Sequence, residues 1–303
     1  ESIIFQSYGT GKAHMAFTQP GDIVQLVGQS RQGARRPRAA QTFIFKLSPG
    51  ERLHTHVGII EHDALIGQPL GSEITSHTGH KFYLLTPSTD DLIRDLKRSS
   101  QIIYPKDIGF ILMKLAIAPG KTVVESGTGS GGLTTVLALM VGPQGHVISY
   151  DVRADMQALA RKNLERVGLA ERVTFKLRDI AEGYDETDAD ALFLDVPNPW
   201  DYVSQARNAL AGGGFFGSIV PTANQVSRLL EALQKNRFDF LEVCEVLIRY
   251  YKAVPERLRP TDRMVAHTGY LVFGRAVTWQ QPQAAPAEEP EADSDEAALD
   301  DFV

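Results

Sequence analysis

The sequence has 303 residues, of which 43% are hydrophobic and 22% charged, a composition typical of a globular protein with two domains or one domain with appendages. No run approaches the roughly 18 consecutive apolar residues of a membrane span, and the polar start does not resemble a signal peptide, so we expect a cytoplasmic protein with no membrane partner. The single cysteine excludes an intrachain disulfide framework and a cysteine-based zinc site.

The net charge of −6 is unevenly distributed along the chain. Residues 286–301 contain eight acidic residues and no basic one, so the rest of the chain is slightly basic. Because residues 278–303 offer little apolar surface to offset ordering entropy, we expect a disordered acidic tail there. Positive charge is concentrated in residues 31–38, which hold four arginines, a pattern that suits either a solvated hairpin tip or an RNA-contact loop.

Residues 1–87 consist of short alternating or apolar runs separated by glycine, proline and aspartate turns. This pattern predicts a small antiparallel β domain with a barrel-like form. The runs are residues 22–27, 42–47, 56–60 and 81–85. Residues 88–104 are predicted to be a linker helix, because Ser88 can cap a helix that begins at Thr89 and basic Lys97 and Arg98 lie near its other end.

Residues 105–277 alternate between predicted strands and helices with apolar residues at 3.6-residue spacing. This alternation predicts an α/β fold, a Rossmann-like, doubly wound and mainly parallel sheet of seven strands. The predicted strands are residues 122–124, 145–150, 173–176, 189–194, 215–220, 243–248 and 269–273. The predicted helices include residues 133–141, 153–167 and 225–235.

A glycine-rich turn follows the first of these strands and opens a helix. Glycines at alternate positions, Gly127, Gly129 and Gly131, let a ligand approach the backbone, and the free N–H groups of the helix start face it. Asp151 ends the next strand, where a ribose-binding carboxylate is expected. The spacing differs from the dinucleotide fingerprint, whose last two glycines are three residues apart. A turn without a ligand is the alternative.

Asp195 ends another predicted strand and precedes two prolines and Trp200. Ligands of open α/β sheets bind outside the carboxyl ends of the strands, so Asp195 is expected to point into a site. The alternative is a carboxylate that caps its own loop. Trp200 would either stack on a base or, as we favour, pack against the sheet.

The arrangement Glu-x-Gly-x-Gly-x-Gly at residues 125–131 resembles the first motif of class I S-adenosylmethionine-dependent methyltransferases. Four further blocks, together with residues 65–72, resemble the tRNA (adenine-N1) methyltransferases that modify T-loop position 58, in the prokaryotic homotetrameric branch. These blocks are Ser-Gln-Ile-Ile-Tyr-Pro-Lys-Asp at 100–107, Asp-Val-Pro-Asn-Pro-Trp at 195–200, Thr-Ala-Asn-Gln-Val at 222–226 and His-Thr-Gly-Tyr-Leu at 267–271.

The resemblance implies S-adenosylmethionine as cofactor, S-adenosylhomocysteine as product, no metal, a tRNA substrate and a homotetramer. It assigns the turn to the methionine portion, Asp151 to the ribose and Asp179 to the adenine amino group of the cofactor. A target adenine flipped out of the T-loop would be held by catalytic Asp195, with Tyr104 as a wall of its pocket. The implied cofactor-binding residues are Ile103, Ser126, Gly127, Thr128, Gly129, Ser130, Gly131, Gly132, Leu133, Asp151, Arg153, Asp179, Ile180 and Asp195.

Several alternatives stay open on the sequence alone. A non-catalytic RNA-binding subunit is disfavoured because it would typically lack the glycine motif and the strand-end aspartate. A methyltransferase of another substrate class would share the glycine turn but not the block at 195–200 or the β domain. His267 would either shape the pocket or a subunit contact, or be a structural histidine. The scattered histidines of the β domain lack the spacing of a metal site.

Overall fold

The computed structural model describes residues 16–28 and 41–278 of the chain. The predicted arginine cluster at residues 31–38 and the acidic tail from residue 279 onwards lie outside the described residues. All seven strands predicted for residues 105–277 fall within the described segments.

The described amino-terminal region is rich in β-strands, which confirms that part of the prediction. In it, β2, β1, β6 and β5 form an antiparallel sheet, and β3 and β4 form a separate hairpin. All six strands contribute apolar side chains to one core, centred on buried Leu26, Phe82 and Leu84. The bounds are β1 (Ile23–Gly28), β2 (Thr42–Lys46), β3 (Arg52–Thr55), β4 (Gly58–Glu61), β5 (Glu73–Thr75) and β6 (Lys81–Leu85).

The helix after this region begins where it was predicted but is shorter. In α1 (Thr89–Arg94), the hydroxyl of Ser88 accepts a hydrogen bond from the Asp91 N–H, and the Asp91 carboxylate accepts one from the Ser88 N–H. This reciprocal capping box fixes the start of the helix. Asp95 caps its end, so Lys97 and Arg98 lie beyond it in an extended segment.

Within the described part of the chain, seven strands form the main sheet in the order β12-β15-β11-β10-β7-β8-β9. Strands β7 to β11 run parallel to one another, and β15 is antiparallel to both of its neighbours. The predicted doubly wound, mainly parallel sheet is therefore confirmed. The strands are β7 (Thr122–Ser126), β8 (His146–Asp151), β9 (Val173–Leu177), β10 (Ala189–Leu194), β11 (Leu210–Val220), β12 (Phe238–Cys244) and β15 (Tyr270–Ala276), and the hairpin β13 (Tyr251–Lys252) and β14 (Arg259–Pro260) lies between the last two.

Helices cover both faces of this sheet. One apolar core holds side chains of α1, α2, α3 and α4, and the core on the opposite face holds those of α5 and α6. The helices are α2 (Pro105–Lys114), α3 (Gly132–Val141), α4 (Ala154–Arg166), α5 (Val203–Ala209) and α6 (Ala223–Lys235). Because both faces are covered, the central strands β7, β8 and β10 are buried almost throughout, and a ligand can reach them at the sheet edge where they end.

The sixth predicted strand is displaced: β12 spans Phe238–Cys244 rather than residues 243–248. Its pairing with β15 shifts register between Asp239 and Glu242, and Phe240 has a positive φ of 54°. This bulge breaks the alternation of apolar and polar residues that marks a strand. Residues 243–248, which are apolar except for Glu245, therefore gave the stronger but incorrect signal.

The carboxyl ends of β7 and β10 lie side by side at the centre of the sheet. Leu194 pairs with Ser126, and the Asp195 N–H donates to the Ser126 carbonyl at 2.8 Å. Gly127 leaves β7 with a φ of 96°, and a Cβ there would overlap the carbonyl oxygen of Asp195. Glycine is therefore required at residue 127 by both conformation and space.

A substitution can separate these two requirements. We expect Gly127→Ala to lower the free energy of unfolding by about 3 kcal/mol or more, because it adds overpacking against rigid backbone to the cost of a positive φ. Gly120 has a φ of 84°, and a Cβ added there would have no neighbouring atom within 4 Å. The matched Gly120→Ala should therefore cost only about 1 to 2 kcal/mol. Equal losses in urea denaturation would show that the close approach to Asp195 has no energetic weight.

Candidate functional site

Two adjoining cavities open at the carboxyl edge of the sheet. We call them the large cavity, of about 180 Å³, and the small cavity, of about 20 Å³. The large cavity is lined by Gln101, Ile102, Ile103, Tyr104, Asp107, Asp195, Ile219, Val220, Pro221 and Thr268. The small cavity is lined by Gln101, Ile102, Ile103, Glu125, Gly127, Thr128, Gly129, Ser130, Gly132, Leu133 and Asp195. Residues 101–103 and Asp195 belong to both, so they form the partition between the cavities.

The glycine-rich turn forms the wall of the small cavity. The Gly127 N–H donates to the Tyr150 carbonyl at 2.9 Å, which ties the turn to the end of β8. Gly131 caps α3 with a φ of 84°, and a Cβ there would lie 3.0 Å from the Cβ of Ala160 in α4. The turn is thus held in a conformation that leaves its backbone uncovered toward the cavity.

Glu125 is the one fully buried carboxylate of the small cavity. It accepts hydrogen bonds of 2.6 Å from both Thr134 and Ser149. Burial raises the pKa of Glu125 to about 7; these hydrogen bonds oppose the rise, and the negative charges of Asp195 and Asp151 add to it. The carboxyl group is therefore poised between its two protonation states near neutral pH, and a cation placed in the cavity would favour the ionised form.

Asp151 is buried at the end of β8 and is held by four donors. Its oxygens accept from the Gly129 N–H at 3.1 Å, from the Arg153 N–H at 2.9 Å, and from the Arg153 guanidinium at 3.1 and 3.2 Å. Burial alone would raise the pKa of Asp151, but the Arg153 and Gly129 donors outweigh burial and lower it. Asp151 is thus a fixed negative charge beside the turn.

Asp195 lies at the partition and keeps solvent access through the cavity mouth. Enclosure by the surrounding protein raises the pKa of Asp195 to about 6; the Arg153 cation opposes this rise, and the Asp151 charge adds to it. Among the described residues, none donates a hydrogen bond to its carboxylate. Its oxygens are therefore available to a donor on a bound molecule.

The segment of residues 97–103, which we call the strap, crosses the open side of the glycine turn. Buried Asn163 of α4 fastens it: its amide donates to the carbonyls of Lys97 at 2.8 Å and Ser130 at 2.9 Å, and its oxygen accepts from the Lys97 N–H at 3.3 Å. The Ser100 and Ser130 hydroxyls are also bonded, at 3.1 Å. One side chain thus joins the strap to the turn and holds residues 101–103 at the partition.

The far wall of the large cavity contains a buried ionic network. Lys106 Nζ lies 2.8 Å from Asp107 Oδ1 and donates to the Thr268 hydroxyl at 2.5 Å, and Thr268 donates to Asp107 Oδ2 at 2.7 Å. The Lys106 and Asp107 side chains are only 8% and 1% exposed. This network ties the start of α2, which carries Tyr104, to the segment before β15.

His267 lies on the rim of the same cavity. Its Nδ1 is 2.6 Å from Glu245 Oε1, and its Nε2 is 3.0 Å from the carbonyl oxygen of Pro221, which lines the cavity. The hydrogen bond to Glu245, together with that to Pro221, raises the pKa of His267 above its usual value. The histidine therefore contacts the cavity wall without itself lining it.

Most of the predicted site residues lie together, but some have other surroundings. Asp179 is exposed and accepts from the Ala181 N–H at 2.9 Å, which caps a short 3₁₀ helix, and Ile180 packs in the core. Trp200 packs against the same core under the guanidinium of Arg228. The predicted residues that line a cavity are Ile103, Tyr104, Gly127, Thr128, Gly129, Ser130, Gly132, Leu133 and Asp195, whereas Ser126, Gly131, Asp151, Arg153, Asp179 and Ile180 do not.

The structure adds wall residues that the sequence did not identify as part of the site. They include Glu125, Gln101, Asp107, Pro221 and Thr268. Each lies within or next to one of the sequence blocks that resemble the methyltransferase motifs. The signal that could have found them is their position at segment ends, together with the polar side chains of all but Pro221. Which of those ends meet at one sheet edge, however, requires knowledge of the strand order.

Membrane spans and metal clusters are both absent from the described residues. No helix there is long and apolar enough to cross a bilayer. No group of three or more histidine, cysteine, aspartate or glutamate side chains in the same segments is arranged to hold a metal ion.

Comparison with known proteins identifies the family. Residues 80–263 match the family described as tRNA methyltransferase complex GCD14 subunit, and residues 17–74 match the TrmI-like N-terminal domain. The chain belongs to the GCD14 family. A curated relative, the tRNA (adenine(57)-N(1)/adenine(58)-N(1))-methyltransferase TrmI of Methanocaldococcus jannaschii, is 36% identical over 251 residues, which cover 74% of this chain and 88% of the relative.

Solved structures place the whole described architecture in the same group. A structure described as a SAM-dependent O-methyltransferase from Thermotoga maritima is 44% identical, with a TM-score of 0.76 and coverage of 91% of this chain and 100% of that one. The tRNA (m1A58) methyltransferase TrmI from Aquifex aeolicus is 36% identical, with a TM-score of 0.70 and coverage of 87% and 100%. Both are described as methyltransferases, and the Thermotoga maritima structure as a SAM-dependent one.

The strap can be tested through Asn163. We expect Asn163→Ala to lower the free energy of unfolding by about 2 kcal/mol, because it leaves the buried carbonyl of Ser130 and partly buried backbone groups of Lys97 without their Asn163 partner. Affinity for S-adenosylmethionine should also fall, since the strap closes the small cavity. Asn224→Ala, an exposed position in α6 outside both cavities, is the matched control and should change neither quantity. Calorimetric titration that gave Asn163→Ala the parent's affinity would contradict the role of the strap.

Proposed function

We propose that the protein transfers a methyl group from S-adenosylmethionine to N1 of adenine 58 in the T-loop of tRNA. The observation that carries this proposal is the position of Asp195 in the partition between the two cavities. The glycine turn lines one side of it, and residues 104, 107, 221 and 268, from or next to the blocks of the tRNA-methyltransferase resemblance, line the other. Such an arrangement suits a donor site and an acceptor site that share one carboxylate.

The residues of the small cavity fit the cofactor. The uncovered backbone of the turn and Glu125 suit the methionine portion, and the Asp151 carboxylate suits ribose hydroxyls, which would compete with the Arg153 guanidinium for it. Val152 and Leu177 are 64% and 58% exposed at the ends of β8 and β9, which offers apolar surface to an adenine ring. When bound, S-adenosylmethionine supplies an electrophilic methyl group on a sulfonium.

The large cavity suits a flipped base. Adenine N1 is itself a nucleophile with a lone pair, so the protein has to align the base and exclude water rather than form a covalent intermediate. The Asp195 carboxylate would accept a hydrogen bond from the adenine N6 amino group, and Tyr104 would form a wall of the pocket. Because N1 lies on the Watson–Crick edge, the base must leave its stack to reach Asp195.

Charge also favours this acceptor. Methylation at N1 removes the positive charge from the sulfonium of the donor and places a positive charge on the adenine ring. Asp195 faces both sides, so its negative charge can stabilise the cation before and after transfer. On the acceptor side Asp107 is already neutralised by Lys106. Asp195 is therefore the carboxylate left to balance the charge of the methylated ring.

We also propose a homotetramer in the cytoplasm, the compartment in which its tRNA substrate is available. A run of exposed apolar side chains along one part of the chain supports self-association, because exposed apolar residues that cluster on a surface mark interaction sites. It follows the edge strand β12 and the segment after it, and includes Phe240, Val243, Leu247, Tyr250, Tyr251, Val254, Leu258, Met264 and Val265, each at least 42% exposed. Sedimentation equilibrium of the full chain would measure the number of subunits.

Two other functions can be distinguished from this one by measuring methyl transfer to tRNA. A non-catalytic subunit would bind tRNA but transfer no methyl group. An O-methyltransferase, the description given to the Thermotoga maritima structure, would need a base for the hydroxyl proton of its acceptor, and Asp195 is the carboxylate in reach. Adenine N1 carries no proton, so only a hydroxyl acceptor demands that second role.

The first test is transfer of labelled methyl groups to unmodified tRNA transcripts. We expect Asp195→Ala to lower kcat/KM by about 100-fold or more, the usual effect of removing a preorganised charge from a transition state. Asp188→Asn, at an exposed position on the opposite edge of the sheet, should keep the parent's activity. Transcripts with another base at position 58 should accept no label. Label found on a small phenol but not on tRNA would replace this proposal with the oxygen-acceptor one.

The pH dependence follows from the protonation state of Asp195. Only the carboxylate accepts a hydrogen bond from N6 and balances the ring charge, and the pKa of Asp195 is raised to about 6. We therefore expect kcat/KM for tRNA to fall as pH decreases through about 6 and to level off above it. Single-turnover rates between pH 5 and pH 8 would measure this limb. A profile without a limb near pH 6 would exclude Asp195 as the group that must be ionised.

A further inference from the structure

Both ring nitrogens of His267 lie within hydrogen-bond distance of an acceptor, so both must carry a proton for the two hydrogen bonds to form. Its Nδ1 lies 2.6 Å from a carboxylate oxygen of Glu245, and its Nε2 lies 3.0 Å from the Pro221 carbonyl oxygen. Both partners are acceptors. A neutral imidazole carries one N–H and can donate to only one of them, which would leave two lone pairs facing each other at the other contact. The doubly protonated imidazolium satisfies both.

The contact with Pro221 bears on the large cavity. Pro221 directly follows β11 and contributes to the cavity wall, and it has no N–H with which to anchor itself to a neighbour. Its carbonyl is held by the His267 ring from outside the cavity. The position of this wall therefore depends on a hydrogen bond from an exposed side chain, rather than on strand pairing alone.

The next residue, Thr268, adds a second set of contacts beside the same cavity. We call the contacts of His267 and Thr268 together the bracket. Thr268 binds Asp107 and Lys106 at the start of α2, while His267 binds Pro221 after β11 and Glu245 after β12. Two consecutive side chains thus connect three chain segments that are distant in sequence. The Thr268 side of the bracket is buried and ionic, whereas the His267 side is exposed to solvent and its geometry depends on protonation.

We propose that His267 is a positioning residue for the acceptor: as an imidazolium that donates to both Glu245 and Pro221, it fixes the Pro221 wall of the large cavity and so sets the affinity for the target nucleotide. This proposal rests on the proposed function, in which the large cavity receives the flipped adenine. It assigns His267 no contact with the reacting atoms.

The groups around His267 determine the direction of its pH dependence. Glu245, after β12, faces Nδ1 and favours the cation, as does the Pro221 carbonyl after β11; Lys106 of α2 opposes it, and the Tyr270 ring of β15 lies with its centroid 4.9 Å away. The pKa of His267 is raised, so the two-donor state prevails at low pH and is lost as pH rises through the raised value. Acceptor binding should weaken on the alkaline side, opposite to the Asp195 limb.

Three variants test the roles of the His267 donor, of its Glu245 partner and of a histidine outside the cavity. His267→Gln retains one donor and should raise KM for tRNA by about 5- to 10-fold, the cost of one ordinary hydrogen bond, with little change in kcat or in affinity for S-adenosylmethionine. Glu245→Gln keeps a hydrogen-bonding side chain but removes the charge, so it should move the alkaline limb of the pH profile to lower pH. His146→Gln, at the amino end of β8 and bonded to Thr174, is the control and should match the parent.

The measurement is the pH profile of kcat/KM for tRNA in the parent and these variants. An alkaline limb that shifts in Glu245→Gln and disappears in His267→Gln supports the proposal. A limb unchanged in both variants, or a KM for tRNA in His267→Gln equal to that of the parent, overturns it.

If the parent binds S-adenosylmethionine but transfers no methyl group to tRNA, the proposed function fails and the bracket is tested alone. The ¹⁵N chemical shifts of the His267 ring then decide it. Two protonated nitrogens at neutral pH, reduced to one in Glu245→Gln, would uphold the bracket. A single neutral tautomer in the parent would overturn it.

Discussion

The site depends on the close approach of two strand ends, where the turn after β7 lies against the residue after β10. The hydrogen bond from the Asp195 N–H to the Ser126 carbonyl continues the strand pairing by one residue, and the absence of a side chain at Gly127 lets the backbones meet. Because β8 and β11 flank this pair on opposite sides, chain segments diverge from it in both directions. The crevice that opens there is divided by Asp195, so the same contact that builds the sheet also creates the partition between the large and the small cavity.

Three carboxylates around this partition have different environments and therefore different properties. Asp151 is held by four donors, and its pKa is lowered; Glu125 is buried between two hydroxyls, and its pKa is raised to about 7. Asp195 keeps solvent access at the cavity mouth and has no donor among the described residues, and the surrounding protein raises its pKa to about 6. The first is a permanent charge suited to a ribose. The other two gain from a nearby cation, which a sulfonium donor would bring. Binding of the donor would thus help ionise the group that the acceptor requires.

Residues whose role follows from local backbone chemistry could be predicted from the sequence. The glycine turn, the capping of α1 by Ser88, and the positions of Asp151 and Asp195 at strand ends each depend on a few neighbouring residues, and the structure has these positions as expected. The ligand roles assigned to the turn and to the two carboxylates stay predictions. Residues whose role depends on distant partners could not be predicted. Asn163 is an ordinary helical residue until the strap lies across it, and Thr268 and Asp107 meet only because β15 inserts between β11 and β12. The strand at 238–244 was misplaced because a bulge hides its periodicity.

The two cavities differ in how their walls are built, and this difference explains why acceptor identity is harder to infer than the cofactor. The small cavity is made largely of one continuous turn and the strap that Asn163 fastens to it, an arrangement that methyltransferases of many substrates can share. The large cavity is assembled from the start of α2, the end of β11 and the segment before β15. Strand pairing joins β11 to β15, whereas side-chain hydrogen bonds of Lys106 and Asp107 to Thr268 join α2 to that pair. Small changes in those bonds would reshape the large cavity and leave the small cavity intact. Relatives with different acceptors can therefore retain the same sheet, the same turn and the same strand-end aspartate.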